Sequence, residues 1–205
     1  DLISVITTDT ATSVKLFAEP NNAVIRYNYD GGSWTSVTLS GGVYSLGGIP
    51  AGTGYTLNLE VVSGTAVLYG VESRGTNIGV VAHKLGATGS SLSQWVQKTN
   101  KLEWQSNLAN LNPSLVVVFH GTNDQTSSES KSVFKSNVEL IVSNILTVMP
   151  DSDILLVTPP ENGRGLPVSM NEYAEAMREV SINKNISHLN LQTYFGLDYS
   201  EYGFG

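Results

Sequence analysis

The chain has no cysteine, only 11 Lys and Arg among 205 residues, and a charged fraction of 14%. Each shortage excludes something. A chain of this length buries enough core to be stable without disulfides, so the missing cysteine leaves the redox compartment open. With 18 Asp and Glu the formal charge is −7, and no continuous basic field is offered to a phosphate backbone or an anionic membrane surface. Nucleic acid is therefore excluded as the main partner. No apolar run approaches the roughly 20 residues of a membrane span, which argues against membrane insertion. The opening DLISVITTDT lacks the basic start of a signal peptide, and a chain that opens inside a strand reads as a mature product or a fragment.

Ser, Thr, Asn and Gly stand where charge would be. With 40% hydrophobic residues and 9 Tyr the chain nonetheless folds rather than remaining disordered. A neutral, polar surface of this kind is common in extracellular β-rich proteins and in sugar binders.

The first seventy or so residues carry short runs of Val, Ile, Leu, Tyr and Thr (SVKLFAEP, NAVIRYNYD, SWTSVTLS, YTLNLEVV, TAVLYGVES). Turn signals separate them at Asn21-Asn22, Asp30-Gly31-Gly32, Ser40-Gly41-Gly42, Pro50-Ala51-Gly52 and Ser63-Gly64. This spacing predicts an antiparallel β-sandwich or jelly roll over residues 1–75. From residue 76 to 205 the period changes. GVVAHKLG reads as a parallel strand, Leu92, Trp95 and Val96 as a helical stripe, and Asn100 as a break before a second helix through Leu108 and Leu111. SLVVVFHG reads as a strand buried on both faces. Phe134, Val138, Ile141, Ile145 and Val148 predict a helix stopped by Pro150, followed by the strand DILLVTPP. Ser169 and Glu172 form a capping box for a helix burying Tyr173, Ala174, Met177 and Val180, and ISHLNLQ supplies a last strand. The pattern is a parallel, three-layer α/β domain.

In such a sheet, ligands collect at the carboxyl ends of the strands. Those loops are Ala87 to Ser91, Thr122 to Gln125, and Glu161 to Arg164. Asn123 can point a neutral amide donor into the crevice, and Gly89 can bring a backbone N–H to the same place. Two such donors make an oxyanion hole for acyl transfer. Glu161, Asn162 and Arg164 could shape a substrate site or simply form a solvated loop.

LGATGSSLSQW, LNPSLVVVFHGTND, the helix ending in MP, DILLVTPPENG and NEYAEAM together resemble the SGNH or GDSL hydrolase family of esterases and deacetylases, over roughly residues 79–194. The resemblance implies that Gly89 and Asn123 are oxyanion donors and that Asp124 supports the loop. Two family blocks are missing. No Gly-Asp-Ser occurs anywhere, and Asp198-Tyr-Ser-Glu201 has Glu where Asp-x-x-His would place the base. His83, His120 and His188 read as structural or surface residues, and Ser90 and Ser91 as helix caps. Family members acting on polysaccharides carry jelly-roll modules, an arrangement also used in bacteriophage tail fibres and tailspikes. The resemblance thus implies a tail-fibre segment, extracellular on the virion and homotrimeric, that deacetylates capsule or O-antigen. Its Ser would lie upstream of Asp1 and its His beyond Gly205. The alternative is a catalytically dead, glycan-binding scaffold. Trp34, with Tyr27, Tyr29, Tyr44, Tyr55 and Tyr69, could stack on sugars or pack within the sheets. No metal-ligand cluster appears, and Gly86-Ala-Thr-Gly89 lacks the ending of a phosphate loop, so the chemistry needs no cofactor.

Overall fold

The computed structural model describes residues 2–7, 10–52, 54–76, 79–97 and 101–195. It divides into two compact units, Asp1–His83 and Lys84–Gly205. The division falls later than the change of period between residues 75 and 76, because residues 79–83 form no strand. His83 Nε2 instead lies 3.1 Å from Glu72 Oε2 in the first unit.

The first unit contains β1 (Leu2–Thr7), β2 (Ser13–Ala18), β3 (Val24–Tyr29), β4 (Thr35–Thr38), β5 (Val43–Ser45), β6 (Tyr55–Ser63) and β7 (Leu68–Arg74). They form a four-stranded sheet, β1-β6-β3-β4, and a three-stranded sheet, β5-β2-β7, all pairs antiparallel. Alternation along β3 decides which face is dry. Ile25, Tyr27 and Tyr29 join Leu57 and Leu59 of β6 and Val14 and Leu16 of β2 in one core, while Arg26 turns outward to Glu60 at 2.6 Å. Tyr29 sits edge-on to Tyr27 and Tyr55, at 5.9 and 5.1 Å between centroids. These three tyrosines are core rather than sugar platforms. Asp30 (φ 52°) and Gly31 (φ 75°) turn β3 into β4. Two successive positive φ values are what a tight hairpin needs. The unit is a sandwich of seven strands; the two four-stranded sheets of a jelly roll are not formed among the described residues.

The second unit contains α1 (Leu92–Gln97), α2 (Lys101–Leu111), β8 (Leu115–Phe119), α3 (Thr122–Thr126), α4 (Lys131–Val148), β9 (Asp153–Thr158), α5 (Met170–Lys184), β10 (Ser187–Asn190) and α6 (Gln192–Phe195). The strands are parallel, in the order β10-β9-β8. Two right-handed crossovers stepping in one direction put α4 and α5 on the same face. Phe134, Val138, Ile141 and Ile145 of α4 meet Tyr173, Met177 and Val180 of α5 over Val118, Ile154 and Leu156. Ser130 and Ser169 cap these helices by accepting from Val133 N and Glu172 N. The predicted break at Asn100 lies outside the described residues.

Two expectations are corrected. Residues 79–90 include no strand, and Val80 is 97% exposed, because the apolar run VVA has no partner strand to lie against. In β8, Val116 and Val118 face the helices, but Leu115, Val117 and Phe119 on the other face are about half exposed. A third layer over β8 is absent among the described residues. An unbroken apolar run cannot report this, since it reads the same whether one face or both are covered.

Phe134 is fully buried and stacks on Tyr173 with 4.1 Å between ring centroids. Phe134→Ala is expected to lower unfolding free energy by about 3–5 kcal/mol, read as a urea midpoint shift at unchanged slope. A loss under about 1 kcal/mol would contradict this packing.

Candidate active site

The carboxyl end of β8 turns sharply at Gly121, whose φ is 137°. A Cβ there would meet Met170 Sδ at 3.0 Å and Pro159 Cδ at 3.4 Å, so both backbone and packing demand glycine. The turn leads straight into α3. Asn123 Nδ2 donates to the Ser90 carbonyl at 2.9 Å, and Asp124 Oδ1 accepts from Leu92 N at 2.8 Å. Two adjacent side chains thereby clamp the segment that begins at Gly89. Gly89 (φ 77°) lies in a turn closed by Ser90 N donating to Ala87 O at 3.1 Å. The structure thus brings the Asn123 amide against the residue that follows Gly89. Of its two N–H donors, the bond to Ser90 uses one.

Asp124 is wholly buried. Burial pushes its carboxyl up to about 6; the Leu92 N–H opposes this, and the charge of Glu129 adds to it. The site's other ionisable neighbour is His120, which burial holds below the usual imidazole range and whose ring sits edge-on to Trp95 at 6.5 Å. The remaining histidines are accounted for elsewhere. His188 Nε2 is 2.8 Å from Thr158 Oγ1, with its pKa lowered by burial and then by Arg178, and His83 pairs with Glu72. Ser90 Oγ donates to Ala87 O and accepts from Trp95 Nε1, while Ser91 N donates to Gln94 Oε1 at the start of α1. Neither serine is paired with a base.

The third loop turns inward. Glu161 accepts from Gln125 Nε2 at 2.7 Å and from Met170 N at 2.9 Å, and Asn162 Nδ2 donates to Gln125 Oε1 at 2.6 Å. Arg164 N donates to Asn162 Oδ1, and its guanidinium reaches Thr126 Oγ1 at 3.3 Å. Glu161 and Asn162 thus spend polar atoms holding α3 to the start of α5. Their hub, Gln125, is fully buried and also donates to Val168 O. Sequence reasoning missed it, because a polar residue after a loop motif gives no sign of burial. Trp34 belongs to the first unit, where the Arg26 guanidinium lies 4.6 Å over its ring.

A second cleft, of about 540 Å³, lies at the amino ends of β8 and β9, lined in part by Asn112, Ser114 and Asp153. It is at the wrong end of a parallel sheet for chemistry. Its groups are also engaged: Ser152 Oγ donates to Pro113 O, and Asp153 N to Ser114 O.

Asp124 sets a pH signature. Its folded pKa lies above its unfolded value, so its contribution favours folding below about pH 4 and is lost as pH rises through about 6. The unfolding free energy of the wild type minus that of Asp124→Asn is expected to fall by about 2 kcal/mol between pH 4 and 7. Paired urea titrations read it; a flat difference would place the carboxylate elsewhere.

A sequence model of the GDSL-like Lipase/Acylhydrolase family matches residues 51–202. Among solved structures, one described as a peptidoglycan O-acetylesterase in action aligns with TM-score 0.69 at 19% identity, covering 94% of this chain and 59% of that one. This chain therefore spans less than two thirds of that protein's length. A family two carbohydrate esterase from Clostridium thermocellum in complex with cellohexaose aligns at 14% identity over 93% of this chain and 82% of that one. A Corynascus thermopiles (Myceliophthora fergusii) family 2 carbohydrate esterase with its carbohydrate binding domain aligns at 12% over 92% and 83%. Their TM-scores, 0.38 and 0.41, carry no argument. No curated protein matches the chain. The O-acetylesterase alignment supports an SGNH hydrolase-like fold, and with the family model covering most of its length, the chain belongs to the GDSL-like lipase/acylhydrolase family.

Proposed function

We propose that this chain is the oxyanion-binding part of a carbohydrate O-acetyl esterase acting on a bacterial surface polysaccharide. One observation carries the reading: Asn123 and the Gly89 turn are clamped together at the carboxyl end of β8. In the intact enzyme a Ser from outside these 205 residues attacks the acetyl carbonyl while a His, also from outside, takes its proton. The Asn123 amide and the Gly89 N–H receive the charge that develops on the carbonyl oxygen. The C–O bond to the sugar then breaks, the His proton passes to the sugar oxygen, and water hydrolyses the acetyl-Ser to acetate. The half-exposed row Leu115, Val117 and Phe119 on the edge strand β8 supports further polypeptide packing there, since apolar rows of this kind are normally covered.

The finer setting is the one that the resemblance to polysaccharide-acting members of the family implies. It is a homotrimeric bacteriophage tail fibre or tailspike, outside the cell, with capsule or O-antigen as substrate. Light scattering tests the trimer. A second reading, a non-catalytic glycan-binding scaffold, is favoured by the Ser90 hydroxyl bonding to Ala87 O and the Ser91 hydroxyl to Ser93 Oγ rather than to a base.

Acetate release from O-acetylated polysaccharide by a longer parent protein separates the two readings. Turnover is expected in the parent, with Asn123→Ala lowering kcat by about 100-fold or more, or roughly 3 kcal/mol. For the 205 residues alone, p-nitrophenyl acetate turnover is expected to stay at background. Hydrolysis by the chain alone, lost in Asn123→Ala, would put the nucleophile inside it; a parent without turnover leaves the scaffold.

A further inference from the structure

At one end of the β-sandwich, β4 pairs with β3 only as far as Tyr27 opposite Thr35, while β3 runs on to Tyr29. Past that point a cleft of about 210 Å³ opens between the hairpin arm at Ser33 and Thr35 and the segment at Gly47 and Gly48, with Tyr27, Asn28 and Tyr29 on the third side. The two tyrosine hydroxyls donate to Gly47 O and Leu46 O, each at 3.3 Å, and so hold the β5–β6 segment at a fixed distance from β3. Asn28 is 4% exposed and accepts from Asn58 Nδ2 at 2.9 Å. The walls are pinned, and a ligand entering meets a shape already formed.

Gly47 is the informative residue. Its φ is not in the left-handed region, and an added Cβ would meet nothing within 4 Å. Neither its backbone nor packing within the chain demands glycine. Gly47 lines the cleft, and a large side chain placed there adds bulk at its wall. Gly48 differs, since its φ of 72° requires glycine for the backbone alone.

The lining selects the occupant. Its lining residues carry no carboxylate, amine or guanidinium, so an ionised ligand finds no counter-charge. The volume falls below the roughly 300 Å³ at which drug-sized sites begin, which limits the occupant to about one ring. The hydroxyls of Ser33 and Thr35 and the backbone at Gly47 and Gly48 along the cleft suit a neutral, hydroxyl-rich ring. We infer that this cleft binds one neutral sugar ring, apart from the ester-cleaving crevice of the second unit. The choice of sugar over other neutral rings rests on the carbohydrate reading above.

The test is a titration of the ¹⁵N-labelled 205-residue chain with N-acetylglucosamine and galactose, with glucuronic acid as the charged counterpart. Saturable shifts are expected at the Ser33, Thr35, Gly47 and Gly48 amides for a neutral sugar and not for glucuronic acid. Gly47→Leu, with native spectral dispersion, is expected to weaken binding at least tenfold. Several outcomes would overturn the inference: no saturable shift with either neutral sugar, equal binding of glucuronic acid, or binding that survives in Gly47→Leu. Loss of binding in Trp34→Ala but not in Gly47→Leu would move the site to the Trp34 face and also overturn it. Acetate release by the parent reads the esterase separately. Sugar binding without turnover sinks only the esterase, and turnover without these shifts sinks only the cleft.

Discussion

The buried Asp124 carboxylate, accepting from the Leu92 amide, is the constraint on which the candidate site depends. It joins the end of β8 to the first turn of α1, which are far apart in sequence. A carboxylate in that position costs desolvation, as its raised pKa records, and the backbone N–H returns part of the cost. Beside that bond, Asn123 donates to the carbonyl of Ser90, the residue that follows Gly89. The site is built by a polar tie inside an apolar unit, not by a set of exposed polar groups.

A second tie, around Gln125, explains why the loop after β9 looks chemically rich yet is inward-turned. Glu161, Asn162 and Gln125 satisfy one another and the first amide of α5. An unmet buried amide or carboxylate would cost several kcal/mol, a cost that these mutual bonds offset at Gln125. In the sandwich, by contrast, a cleft of about 210 Å³ lies beside Gly47, whose backbone and packing do not require glycine.

Much of the fold was legible because side-chain period and capping are local. The stripe of α4, the cap at Ser169, the hairpin at Asp30-Gly31 and the strands β8, β9 and β10 follow from neighbours a few residues apart. GVVAHKLG failed for a non-local reason: a strand exists only where another strand receives its hydrogen bonds, and residues 79–90 have none. Strand alternation puts the tyrosines of β3 on one face, but which face is dry depends on Leu16 and Val14 from the other sheet.

The sequence by itself determined the change from period two to helical spacing, the neutral and acidic surface, and the absence of a Gly-Asp-Ser block. These are properties of the chain or of a few adjacent residues. Only the tertiary structure decided that Asn123 and Gly89 share one place, that Glu161 and Asn162 face inward, and that β8 is covered on one face. Each of these turns on contacts between segments tens of residues apart, where geometry, not composition, chooses the partner.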